Sequence, residues 1–169
     1  MGFPEKNEDV LKELTSLFSE GVKFVEPTDM SGSLRGRQNV YNHLDMLIRE
    51  AENTITIVTT AAGLNRKMES LLPSLEKAKK RGVKIRIAAP INETNKKVAK
   101  DLSRVGEVKN TSALKARFVI IDSEELMFMV MDDEKVHPNY DVAIWLNAEF
   151  FARALEQLFE VAWSKFGKV

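Results

Sequence analysis

The chain has 169 residues, enough for one domain with a sizeable core, and its 25 Lys and Arg balance its 25 Asp and Glu. That balance excludes a global basic field of the kind that draws a protein to nucleic acid or to an anionic membrane. With no cysteine there are no disulfides or thiolate metal sites, no apolar run approaches the ~20 residues of a membrane span, and no signal-peptide core opens the chain, so a cytoplasmic protein without membrane contact is expected.

In chain order, Val10, Leu11, Leu14, Leu17 and Phe18 recur at helical spacing over residues 8–20, and Gly21 suits the end of that helix. The apolar stripe is narrow, as in a two-helix seam, so residues 1–25 read as a leading linker or dimerisation helix and 26–169 as the main domain. Residues 27–37 are rich in turn formers and read as a loop; 38–51 have the period of a helix, and 54–60 read as the first strand. A helix is expected over 64–72, with Pro73 starting another that stops at Gly82. Strand 83–89 follows, then a helix capped by Asn92 and ending near Gly106, then a short strand at 107–109. Strand 118–121 turns through Asp122-Ser123 into strand 126–131. Strand 141–146 leads to a long helix capped by Asn147, with Phe151, Leu155, Leu158, Phe159, Ala162 and Trp163 on its apolar face and Gly167 at its end. Helix–strand alternation to residue 105, then three strands and a helix, predicts an α/β fold: a mixed sheet sandwiched between helices.

The stretch 114–122 carries the most chemistry. Phe118-Val119-Ile120-Ile121 is an uninterrupted apolar run, which reads as a strand buried on both faces. Upstream, Lys115 and Arg117 are two apart and share one face of an extended backbone, and Asp122 closes the run. The spacing cation, one residue, cation, four residues, acid resembles the phospholipase D signature H-x-K-x(4)-D. The resemblance places Lys115 where the nucleophilic His stands, Arg117 where the phosphate-binding Lys stands, and Asp122 at the Asp. An alkylammonium has no lone pair with which to attack phosphorus. The family's enzymes combine two such motifs and this chain holds one. The resemblance therefore implies a single phospholipase D-like half-unit with a degenerate motif, without catalytic residues, metal or cofactor.

Longer segments resemble the effector domain of archaeal TrmB-family transcriptional regulators. They are Val25-Glu26-Pro27-Thr28-Asp29, Leu34-Arg35-Gly36-Arg37, Ile57-Val58-Thr59-Thr60, the hairpin 117–131, and Asp132-Asp133-Glu134 through His137-Pro138-Asn139-Tyr140-Asp141 to Trp145 and Phe150-Phe151. The resemblance implies a phospholipase D-like sensor that binds a small molecule, a sugar or an anion, and pairs as a homodimer. It further implies that DNA is reached only through a winged helix that this sequence lacks. A phosphodiesterase formed by two copies is the alternative, and Lys115 in the nucleophile's place discriminates against it. A ligand-free interaction module is a third reading, which a large polar pocket would disfavour.

Lys115, Arg117 and Asp122 line an anion pocket on this reading; a strand-end ion pair with Asp122 capping the turn is the plainer alternative. Thr59 and Thr60 follow a strand where open α/β sheets bind ligands, although threonines are also common caps. Arg35-Gly36-Arg37 before a helix fits a phosphate held by backbone N–H groups and guanidinium forks. Asp132-Asp133-Glu134 with His137 lacks the spacing of a calcium loop and reads as a solvated loop. His43 has no assigned role. Met127, Met129 and Met131 alternate along one strand face, as core or as an interface near a sheet edge.

Overall fold

The computed structural model describes residues 8–14, 30–112 and 114–169, and the chain divides into two units, 1–30 and 31–169. In the first, residues 8–14 are helical, with Val10, Leu11 and Leu14 exposed. The remainder of the expected leading helix and the expected boundary after residue 25 lie outside the described residues.

The second unit runs β1 (Ser31–Arg35), α1 (Arg37–Glu50), β2 (Thr54–Val58), α2 (Ala61–Lys80), β3 (Lys84–Ala89), α3 (Lys96–Leu102), β4 (Glu107–Asn110), β5 (Phe118–Ile121), β6 (Glu125–Met129), β7 (Val142–Asn147), α4 (Glu149–Trp163) and β8 (Gly167–Lys168). Among the described residues, one sheet of eight strands forms in the order β1-β7-β6-β5-β2-β3-β4-β8. The pairs β2–β3 and β3–β4 are parallel and the others antiparallel. This is the mixed α/β sheet that the sequence predicts.

The register follows the apolar pattern. Ile55 pairs with Ile121 and Ile85, and Ile57 with Val119 and Ile87, so all six project to one face. There they pack with Leu44 and Ile48 of α1, Leu71 and Leu75 of α2, and Leu102 of α3. The intervening residues Val58, Ala88, Ile120 and Leu126 meet α4 on the other face through Ala152, Phe159 and Trp163. A one-residue slip would exchange the two cores, which is why the register is firmly set. Val119, Ile120 and Ile121 are all buried, as expected of a strand covered on both sides.

Several local expectations are corrected. Residues 31–35 form an edge strand rather than a loop, because β7 supplies a ladder that Ser31-Gly32-Ser33 cannot announce by apolar pattern. Pro73 lies inside a continuous α2, where fully buried Leu71 and Leu75 hold the helix across the missing hydrogen bond. The residue at the start of α3 is Asn95, whose amide bonds the carbonyls of Ala61 and Pro90 (3.1 and 2.9 Å). α3 stops at Leu102, and Ala148, not Asn147, precedes α4. That last helix ends at Trp163, and Gly167 belongs to β8. β6 lies between β5 and β7, away from the sheet edges, and Met127 and Met129 are buried in the core. The methionine face is therefore core, and only Met131, beyond the strand, is substantially exposed.

Candidate functional site

One end of the sheet collects most of the singled-out residues. The antiparallel register sets the end of β2, the start of β5, the end of β6, the start of β7 and the end of β1 side by side. Thr59-Thr60 leave β2 there, Arg117 enters β5, and Arg37 opens α1.

Two buried carboxylates organise this end. Asp141 accepts a two-pronged bond from Arg117 (Nη1–Oδ1 3.0 Å, Nη2–Oδ2 2.7 Å) and a third from Arg37 Nε at 3.2 Å. Arg117 Nη1 also donates to the Met131 carbonyl at 2.8 Å. Asp133 accepts from the Thr60 hydroxyl at 2.6 Å and from Arg66 Nη2, while Arg66 Nε donates to the Tyr41 hydroxyl at 3.3 Å. Burial by itself would raise both carboxyl pKa values. For Asp133 the Thr60 and Arg66 hydrogen bonds outweigh burial, and for Asp141 the Arg117 and Arg37 contacts do, so both are held below the usual range.

Lys67 lies deepest. Its side chain is 2% exposed, its Nζ donates to Thr59 Oγ1 at 3.1 Å, and it sits 5.3 Å from the Tyr41 ring centre. Burial, helped by the charges of Arg117 and Arg66, lowers its pKa to about 7 against the pull of Asp133 and Asp141.

Two hollows open on this centre. The smaller, about 170 Å³, is bounded by Thr60, Lys115, Arg117, Met129, Met131 and Asp132. Lys115 is exposed on its rim, 3.8 Å from Asp132 and 3.5 Å from Glu134. The larger, about 640 Å³, contains Arg35, Arg37, Tyr41 and Arg66. Arg35 and Arg37 thus stand in a different hollow from Lys115, while Arg117 is shared through Asp141. Thr59 is fully buried and turned to Lys67.

Asp122 is not brought to this end. It closes β5 at the opposite end of the strand, where its carboxylate accepts from the backbone N–H groups of Glu52, Asn53 and Thr54 (2.9, 2.6 and 2.9 Å). Asp133, expected in a solvated loop, points inward instead, because Arg66 and Thr60 compensate its burial. Arg66, Lys67 and Asp141 were not foreseen as site residues. His43 packs edge-on against Trp145 with its ring centre 5.7 Å away, and burial lowers its pKa.

The chain resembles the structure of TrmBL2, described as an archaeal chromatin protein with a novel mode of DNA binding, at 21% identity and a TM-score of 0.66. That match covers 98% of this chain and 64% of TrmBL2, so the chain spans less than two thirds of its relative's length. It also resembles Nuc, a phospholipase D family member from Salmonella typhimurium (13% identity, TM-score 0.66, 82% of this chain and 98% of that one). NucT from Helicobacter pylori is similar to a like degree (13%, TM-score 0.65, 82% and 98%). These likenesses show a phospholipase D-like fold. A search of curated protein sequences gives no match. The family model described as transcriptional regulator TrmB, EBD N-terminal subdomain, matches residues 33–165, and the chain belongs to the TrmB family of transcriptional regulators.

Proposed function

We propose that the chain is a non-enzymatic, effector-sensing and dimerisation domain of a cytoplasmic TrmB-like regulator, reaching DNA only through a winged helix outside these residues. The observation that carries this reading is the state of the phospholipase D-like motif. Lys115, in the nucleophile's position, is exposed beside Asp132 and Glu134, and Arg117 is locked onto Asp141. Lys115 and Arg117 offer positive charge and hydrogen-bond donors but no imidazole to serve as the nucleophile. The hollow bounded by Thr60, Lys115 and Arg117 is the proposed effector site, with Thr59 supporting it through Lys67 and with Asp122 standing apart.

An effector there signals only if it binds two arrangements of the dimer with different affinity. The test is a calorimetric panel of neutral sugars and small anions against the wild type and Lys115→Ala. Saturable binding of at least one ligand, weakened in the variant, supports the assignment. Binding that is unchanged in the variant removes the effector from this hollow.

A further inference from the structure

The larger hollow has features that the effector reading does not use. Arg37 and Arg66 each give one edge to a buried carboxylate, Asp141 and Asp133. Both side chains border the cleft, and Arg37 Nη2 is buried without an acceptor. A charged donor left unsatisfied in a protein interior is costly, so it points to an acceptor that arrives from elsewhere.

The local charge points the same way. The cleft is lined by Arg35, Arg37 and Arg66 against one carboxylate, Glu69, while Asp141 and Asp133 stand behind Arg37 and Arg66. α1 opens into the cleft without a side-chain cap and without an acid in its first turn, and Gly36, at φ 89°, makes the turn into it. The first backbone N–H groups of a helix have no partner within it and favour an anion.

We infer that this cleft is an anion site for a phosphate monoester of a small polar molecule, held by Arg35, Arg37, Arg66 and the first-turn amides of α1. Guanidinium groups from β1, α1 and α2, together with backbone N–H groups, suit a tetrahedral oxyanion with three peripheral oxygens better than a planar carboxylate. The volume of about 640 Å³ suits a small molecule. A chain of zero net charge lacks the field that a long polyanion would require. This site does not rest on the effector reading of the smaller hollow.

The test is an amide nitrogen–proton NMR titration of the full chain with inorganic phosphate and with glycerol 3-phosphate, against glycerol and chloride at matched ionic strength. Both phosphates should give saturable millimolar-or-tighter shifts at the amides of Arg37, Gln38 and Asn39 and at Arg66 Nε, with glycerol 3-phosphate binding more tightly. Arg35 is exposed, and its ring contact is to Tyr140 at 5.1 Å, so Arg35→Gln should fold normally. It should weaken phosphate binding about tenfold, the loss of one charge-assisted hydrogen bond. Absence of saturable shifts at these amides, or shifts unaltered by Arg35→Gln, would overturn the inference. Tighter capture of a short duplex DNA through the same amides would overturn the small-molecule assignment. Thr60 and Arg117 amides report the other hollow, so the two sites can fail separately.

Discussion

At the scale of single residues, Lys67 makes the sharpest physical statement. Its folded pKa of about 7 lies below the ordinary lysine value of 10.5, so the unfolded chain binds the extra proton between those limits. Stability from this group therefore rises with pH through that window, and the full penalty is present below it. The shift corresponds to a few kcal/mol at most. Lys67→Met should raise the melting temperature at pH 6 and flatten the difference between pH 7 and 10, measured by thermal unfolding of wild type and variant side by side. An unchanged slope would mean that Lys67 is solvated. Substitution at Asp141 should act the other way: Asp141→Asn leaves the buried Arg117 without its counter-charge, with an expected loss of about 3–5 kcal/mol in chemical denaturation. Neither residue announces itself in the sequence. Lys67 lies among polar neighbours on a helix, and only the sheet register discloses that its ammonium points at Thr59.

At the scale of elements, apolar periodicity revealed what packing decides. Strands β2, β3, β5 and β6 and the long helices were legible because their side chains alternate or recur with the geometry of the core that they fill. The edge strand β1 and the continuity of α2 across Pro73 were not legible, because tertiary partners override local propensity at both. The hairpin between β5 and β6 shows both sides. Asp122 and Ser123 both adopt positive φ (54° and 58°), as a tight hairpin turn demands, and Asp122 ties that turn to the start of β2. Asp122→Ala should cost about 1–3 kcal/mol by leaving three N–H groups without their acceptor, and Asp122→Asn should cost less. Gly106 is a second fixed point. A Cβ there would collide with the Ile85 carbonyl, so Gly106→Ala should destabilise the β3–β4 pairing, seen as faster amide exchange in β4.

At the scale of the whole molecule, the motif at 115–122 led to the right fold, and its residues stand at the two ends of one strand. The strand that carries it separates its ends and sets Asp122 apart from Lys115 and Arg117, while the unforeseen Arg66, Lys67 and Asp141, with Asp133 that was read as a solvated loop residue, converge from three other segments. Spacing along one strand was readable; convergence across the chain was not. Dimerisation is proposed through the leading helix, whose Val10, Leu11 and Leu14 are exposed, since Met127 and Met129 are occupied by the core. Sedimentation equilibrium at tens of micromolar protein should show a dimer that Leu14→Asp weakens. A monomeric wild type would end the pairing argument, and a dimer indifferent to the substitution would move the interface off this helix.

On the proposed function, a phospholipase D-like fold here serves recognition without turnover. Phosphorus NMR of a simple phosphodiester incubated with the chain tests it most directly. The diester signal should persist with no monoester appearing, in the presence or absence of added divalent cations. A growing monoester signal that is independent of metal and abolished by Lys115→Ala would contradict it.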